Sequence, residues 1–149
     1  MDSHMIKRIR SFNRYYTIWL EVMNKEYLET DFSWTESRIL FEIHISPGIN
    51  ATELCEHFNM DKGYMSRILR KFEKQRILTR EQILGSKGLK KIYLTKAGEK
   101  IVHQINTNGD RQIADKLKGV DDATCIQLCE AMEFIKKVLS ENEKGGMPE

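Results

Sequence analysis

Residues 51–76 read ATELCEHFNMDKGYMSRILRKFEKQR, and the way this stretch divides decides the fold. Its first nine residues, ATELCEHFN (51–59), read as a short helix with Asn50 as its cap and Leu54, Cys55 and Phe58 facing inward. MDK is a turn, and a second helix runs over about 62–75. On a wheel of about 100° per residue, Met65, Ile68, Leu69 and Phe72 of that helix fall on one side. Arg67, Arg70 and Lys74 fall on the other, with Lys71 at the border and Ser66 beside Arg70. One face suits a core and the other is cationic. The helix start carries Gly63, Tyr64 and Ser66, small enough for backbone N–H groups to approach a phosphate. An arginine on the outer face can read guanine bidentately in a major groove. Basic helix faces are common on soluble proteins, so the neighbouring segments carry the decision.

The segment that follows, ILTREQILGSKGLKKIYLT (77–95), is β-prone from Ile77 to Leu84 and again from Lys91 to Leu94. GSKG between them is a turn, which makes a hairpin with a basic tip. Before the opening stretch, FSWTESRILFEI predicts a helix starting near Thr35, with Ile39, Leu40 and Ile43 on its apolar face, and SPGIN (46–50) is a turn. Two helices, a basic third helix and a hairpin are the order of a winged helix-turn-helix. A helix in a major groove and a hairpin tip beside it can touch DNA together.

Long helices flank this module. Ile6, Ile9, Phe12, Tyr16, Trp19, Met23 and Tyr27 recur every three or four residues and predict one helix over about 6–29. Another runs from Lys96 toward Lys118, loosened near NTNGD. GVDD ends it, and Asp121 or Asp122 caps a last helix to about Asn142, where Cys125, Leu128, Cys129, Met132, Ile135 and Leu139 follow heptad-like spacing. Neither apolar stripe has a partner inside so small a central module, and a second copy of the chain would bury them. The expected architecture is therefore mainly α with a small β-hairpin wing. Residues 35–95 form a winged helix-turn-helix DNA-binding region, and 5–34 with 96–142 form a helical dimerisation region. The start, MDSHM, reads as a cloning scar (1–4) joined to a native start at Met5, and 143–149 reads as a disordered tail.

Charge distribution agrees. Residues 60–91 hold ten basic and three acidic residues, a net of +7, so a chain of net charge +2 carries −5 elsewhere. One basic segment in an acidic body is the footprint of a polyanion binder. Three cysteines form no disulfide framework and no zinc spacing, which fits reduced thiols in the cytoplasm. No apolar run reaches the roughly 18 residues of a membrane span.

FSWTESRILFEI, ATELCEHFNMDKGYMSRILRKFEKQRILTR and IYLTKAG, in that order, resemble the DNA-binding region of the MarR family of bacterial transcriptional regulators. The resemblance covers about 6–142, and GYMSRILRKFE is similar to the regulator half of proteins that fuse a MarR module to an acetyltransferase. It implies a homodimer held by the terminal helices, bound to a pseudo-palindromic double-stranded operator, commonly as a repressor. It also implies release by a small aromatic or anionic effector bound between the dimer and DNA-binding parts. By position, Lys62, Gly63, Tyr64, Ser66, Arg67, Arg70 and Lys71 would face the major groove or its phosphates, and Thr52 would approach the backbone. The family's Asp-x-Arg near the hairpin tip is absent, Ser86 and Gly88 standing at those positions. Lys87, Lys90 and Lys91 remain to supply charge, which implies a wing that grips phosphate more than it reads sequence. Tyr16, Trp34 and His44 lie in segments that line the family's effector crevice.

The same residues admit other readings. Aromatic stripes at helical spacing are more often core or interface than a ligand site. Cys125 and Cys129 fit helix packing better than oxidant sensing, which needs exposure and a lowered pKa, though a thiol-switched regulator stays an alternative. The other is a winged helix that binds an acidic protein. No Ser-His-Asp order, paired-carboxylate site, metal-ligand cluster or phosphate-cradling glycine loop stands out, so neither catalysis nor a cofactor is expected.

Overall fold

The computed structural model describes residues 1–85 and 88–145. Among them it has six α-helices, one 3-10 turn and a two-stranded antiparallel hairpin, as the sequence predicts for a winged helix-turn-helix. The chain divides into two compact units, Met1–Gly109 and Asp110–Glu149.

In the first unit, α1 (Ser3–Trp19) starts at Asp2, whose carboxylate accepts from the His4 amide at 3.2 Å. None of its residues is buried. The helix ends at Trp19, about ten residues before the expected point, with Leu20 as its cap, and Glu21 turns left-handed with φ 57°. The chain then folds into a 3-10 turn (Tyr27–Glu29), where Leu28 and Glu29 also hold positive φ. The Tyr27 amide donates to the Phe32 carbonyl at 2.8 Å, and the Asn108 side-chain amide donates to the Leu28 carbonyl at 2.7 Å. Of the periodic residues past Trp19, Met23 is exposed and Tyr27 half-buried, while Leu28 and Phe32 of this loop pack on the core. Periodicity alone does not separate that case from a longer helix.

The next helices are defined by their caps. α2 (Trp34–Ile45) opens with a full capping box: Ser33 Oγ accepts from the Glu36 amide, and Glu36 Oε1 accepts from the Ser33 amide. α3 (Ala51–Phe58) is capped by Asn50 and ends on left-handed Asn59. α4 (Lys62–Lys74) is capped by Asp61, whose Oδ2 accepts from the Tyr64 amide at 3.0 Å. β1 (Leu78–Gln82) pairs with β2 (Lys90–Leu94) in a register that sets Leu78 against Leu94 and Gln82 against Lys90. The turn after α2 joins the hairpin: Gly48 N donates to Ile92 O at 2.9 Å, and Ile92 N donates to Ile49 O at 3.0 Å. β2 is therefore bonded on both sides.

The core sits between α2, α3, α4 and the hairpin. Ile39, Leu40, Leu54, Met65, Leu69, Phe72 and Ile92 are fully buried. Each such side chain contributes about 1.5–3 kcal/mol relative to exposure. Thr95 starts α5 (Lys96–Lys116): its hydroxyl accepts from the Gly98 amide and donates to the Arg76 carbonyl at 2.7 Å. Gly98 is buried, and a Cβ there would collide with the Ile77 carbonyl oxygen, so the helix start can pack on β1 only with glycine. α5 runs unbroken through Gly109, without the loosening expected near NTNGD.

In the second unit, α5 ends and Gly119 turns the chain at φ 90°. Asp121 then caps α6 (Asp122–Gly145), accepting from the Thr124 amide at 2.7 Å. Hydrogen bonding from the Thr124 side chain, with this amide bond second, holds the Asp121 carboxyl below its ordinary pKa. α6 continues past Asn142, so 143–145 are helical rather than the expected tail, and 146–149 lie outside the described residues. None of residues 122–144 of α6 is buried, and Ile126, Phe134, Val138 and Leu139 are exposed.

Candidate nucleic-acid interface

The two faces of α4 separate as the wheel predicts. Met65, Ile68, Leu69 and Phe72 are buried, while Arg67, Arg70 and Lys74 are exposed on the opposite side. Lys62, Gly63, Tyr64 and Lys71 are also exposed and Ser66 is half-buried. The Arg67 guanidinium lies 6.0 Å from the centre of the Tyr64 ring, one helical turn back. Among the described residues, Lys62, Arg70 and Lys74 form no ion pair, so their charge faces solvent. Gly63 has a local role as well. A Cβ there would lie 3.1 Å from Asp61 Oδ2, so glycine leaves room for the cap.

Lys71 differs from the rest of this face. Its Nζ lies 2.7 Å from Glu36 Oε2, with the Glu36 side chain only 13% exposed. The border position on the wheel lets Lys71 reach the start of α2 while its side chain stays half exposed. Burial pushes the Glu36 carboxyl up, but hydrogen bonds from Lys71 and the Ser33 cap outweigh it and leave the pKa below its ordinary value. The charge expected to face the major groove or its phosphates is paired here with Glu36.

The hairpin is tied to the same helix: Arg80 Nε donates to Glu73 Oε2 at 3.2 Å. Lys90 and Lys91 are exposed at the start of β2, but neighbours in a strand point to opposite faces. Lys90 shares the face of buried Ile92, and Lys91 takes the other. Lys87 lies outside the described residues. Thr52 is exposed in the first turn of α3. Sequence reasoning overlooked Leu84, which is wholly exposed at the tip, and Leu89 beyond the turn. Their signal was an apolar residue on each side of GSKG.

The residues expected at an effector crevice are dispersed. Tyr16 stacks between Phe12 and Trp19 along α1, at 5.4 and 5.8 Å. Trp34 is the first residue of α2 and is part exposed. His44 Nδ1 lies 2.6 Å from Glu99 Oε2, joining the end of α2 to α5. Among the described residues no hydrogen bond, ion pair or ring contact links the three. Cys55 is buried, and burial pushes its thiol pKa up, against a reactive role. Cys125 is half-buried and Cys129 exposed on α6.

Residues 30–83 match the sequence model of the MarR family. The comparison with curated proteins returns no match. Among solved structures, the chain is similar to a mutant of the E. coli MarR protein complexed with operator DNA, at 20% identity. That match covers 93% of this chain and 99% of the other, with a TM-score of 0.72. It is also similar to Streptococcus pneumoniae FabT in complex with DNA (14% identity, 93% and 96% covered, TM-score 0.69). A MarR transcriptional regulator from Methanosarcina mazei Go1 is a third (17% identity, 98% and 100% covered, TM-score 0.68). The chain has the winged-helix fold of these regulators, and its helix-turn-helix segment matches the MarR family.

Proposed function

We propose that this chain is a MarR-family transcriptional regulator that binds double-stranded DNA in a sequence-specific way as a homodimer. The observation that carries the reading is α4: a buried apolar face holds it on the core, and Arg67, Arg70 and Lys74 stand free on the other side. Asp61 fixes the start of the helix and Glu73–Arg80 fixes the hairpin against it, so both present a preformed surface. Arg67 and Arg70 read bases in the major groove, and Lys62, Lys74 and Thr52 hold phosphates.

The dimer follows from what is left uncovered. Ile6, Ile9 and Phe12 of α1 and Phe134, Val138 and Leu139 of α6 are exposed, and among the described residues neither helix buries a side chain. A second copy supplies the missing surface, and two α4 helices then enter successive major grooves on a pseudo-palindromic operator. The protein acts without catalysis, in the cytoplasm. No helix among the described residues is long and apolar enough to cross a membrane. We read it as a repressor released by a small aromatic or anionic effector, with Tyr16, Trp34 and His44 as the residues to vary first. Within that reading we take GYMSRILRKFE as similar to the regulator halves of acetyltransferase fusions.

The test is duplex selection from a random pool, followed by titration of the selected site and of generic DNA over a range of salt. Saturable, salt-dependent binding with a palindromic consensus is expected. A folded dimer that ignores duplex DNA at low salt overturns the reading and favours an acidic protein partner.

A further inference from the structure

Cys125 and Cys129 stand one turn apart on the same side of α6. Cys125 is half-buried, and its Sγ donates at 3.9 Å to the carbonyl of Val120, in the turn before the helix. Cys129 is exposed. Helical side chains lean toward the N-terminus, so Cys129 leans over the turn that carries Cys125. The two line one open hollow with Asp122, Ile126, Glu130 and Glu133. On a wheel, Leu128, Met132, Ile135 and Leu139 share one centre, and Cys129 lies about 90° from it, with Asp122 and Glu133 beyond. A second copy seated on that apolar stripe therefore leaves Cys129 at its rim.

Spacing decides what the pair can hold. Cβ atoms at i and i+4 of a helix lie about 5–6 Å apart, whereas a disulfide needs about 3.5–4.5 Å. Direct closure would require the start of α6 to unwind. One bridging atom puts two bonds to sulfur in place of a single S–S bond and spans the gap on an intact helix. Zinc closes a structural site with four ligands, and among the described residues no group of three or more His, Cys, Asp or Glu is placed to hold a metal ion. The pair therefore suits a soft centre that two thiols satisfy. Trivalent arsenic carrying one organic group is of that class, because its two exchangeable positions take two sulfurs.

We infer that Cys125 and Cys129 are a dithiol site for trivalent organoarsenic compounds. With phenylarsine oxide, both S–H bonds and the bonding between arsenic and oxygen break, two As–S bonds form, and the two thiol protons leave with the oxygen as one water. Arsenic stays trivalent and no sulfur is oxidised, so the step needs no oxidant and differs from a peroxide-driven thiol switch. The site is independent of the DNA-binding reading and stands whether or not that reading holds.

The test titrates the reduced full chain with phenylarsine oxide, read by intact mass and by alkylation of the thiols left free. Wild type is expected to take one phenylarsenic group with loss of one water, protecting Cys125 and Cys129 together. Cys129→Ser, at an exposed position, should melt with wild type. It should hold the arsenical on the order of 100-fold more weakly, since the second thiol no longer acts at the effective concentration of a neighbour. A register variant, Cys129→Ser with Glu130→Cys, keeps the number of thiols but turns one of them about 100° round the helix, and it should bind as weakly. Excess glutathione should strip both variants and leave wild type loaded until a dithiol is added. Wild-type affinity in either variant would overturn the dithiol site, and protection of Cys55 in place of Cys125 or Cys129 would do the same. Closure of a Cys125–Cys129 disulfide by peroxide in the folded chain would refute the spacing on which the site depends.

Discussion

Replacing Lys71 separates the internal role seen in the structure from a contact with DNA. Lys71 Nζ and Glu36 Oε2 are 2.7 Å apart, and the two side chains are 50% and 13% exposed. At that exposure water screens much of the attraction, and a half-exposed pair of this kind is worth about 0.5–1 kcal/mol. Glu36 also closes the α2 capping box through its other oxygen, which Lys71→Ala leaves in place. We expect Lys71→Ala to cost about 0.7 kcal/mol, a fall of roughly 2 °C in Tm for a chain of this size. Glu36→Gln keeps an acceptor for the cap and removes the charge, so the double mutant should show a coupling of about 0.5–1 kcal/mol. The sign of the pH dependence follows from the depressed Glu36 pKa. A carboxyl lowered in the folded state stabilises above its unfolded pKa, about 4.3, and this contribution is lost as pH falls through the folded value. The assay is urea unfolding of the four proteins at pH 7 and at pH values below 4, with DNA titrations against salt at pH 7. A phosphate contact would show as a salt slope shallower by about 0.9 in Lys71→Ala. Zero coupling at pH 7, or that change of slope without loss of stability, would refute the internal role.

Three other variants bear on the same module. Arg67→Ala and Arg70→Ala should each weaken binding to the selected duplex by about 1–3 kcal/mol and relax its consensus, and unchanged affinity in both would remove this face from the interface. Gly98→Ala sets a helix-propensity gain of about 1 kcal/mol against a Cβ driven into the Ile77 carbonyl; a net loss of about 2 kcal/mol is expected from urea midpoints, and an equal or higher midpoint would refute the packing. Ser37 is 3% exposed and its Oγ has no hydrogen-bond partner among the described residues. Ser37→Ala should therefore raise stability by about 1 kcal/mol, and a clear loss in thermal unfolding would mean that the hydroxyl has a partner.

The helix-turn-helix was legible because its signals are local. Asn50 stands where a cap is needed, and the period of Met65, Ile68, Leu69 and Phe72 assigns the two faces of α4 without knowledge of any neighbour. The hairpin was legible for a similar reason, since β-prone runs flank a glycine turn. Caps and periodicity act within a few residues, so one sequence is enough to read them. The end of α1, the bonding of Ile49 to β2 and the left-handed turn at Leu28 were not legible. The last two depend on distant partners, as when Asn108 holds the Leu28 carbonyl from 80 residues away, and the first on a left-handed turn at Glu21 that no periodicity marks.

For the interface, the sequence by itself determined which residues could be cationic and which side of α4 they occupy. Only the tertiary structure decided which charges are available. Arg67, Arg70 and Lys74 point away from everything that packs on the helix, whereas Lys71, one position from Arg70, meets a carboxylate supplied by α2. The same holds at the wing, where composition suggested lysines and the fold left Leu84 uncovered. Charge and periodicity are properties of the chain, while pairing and exposure depend on which segments the fold brings within a few ångströms.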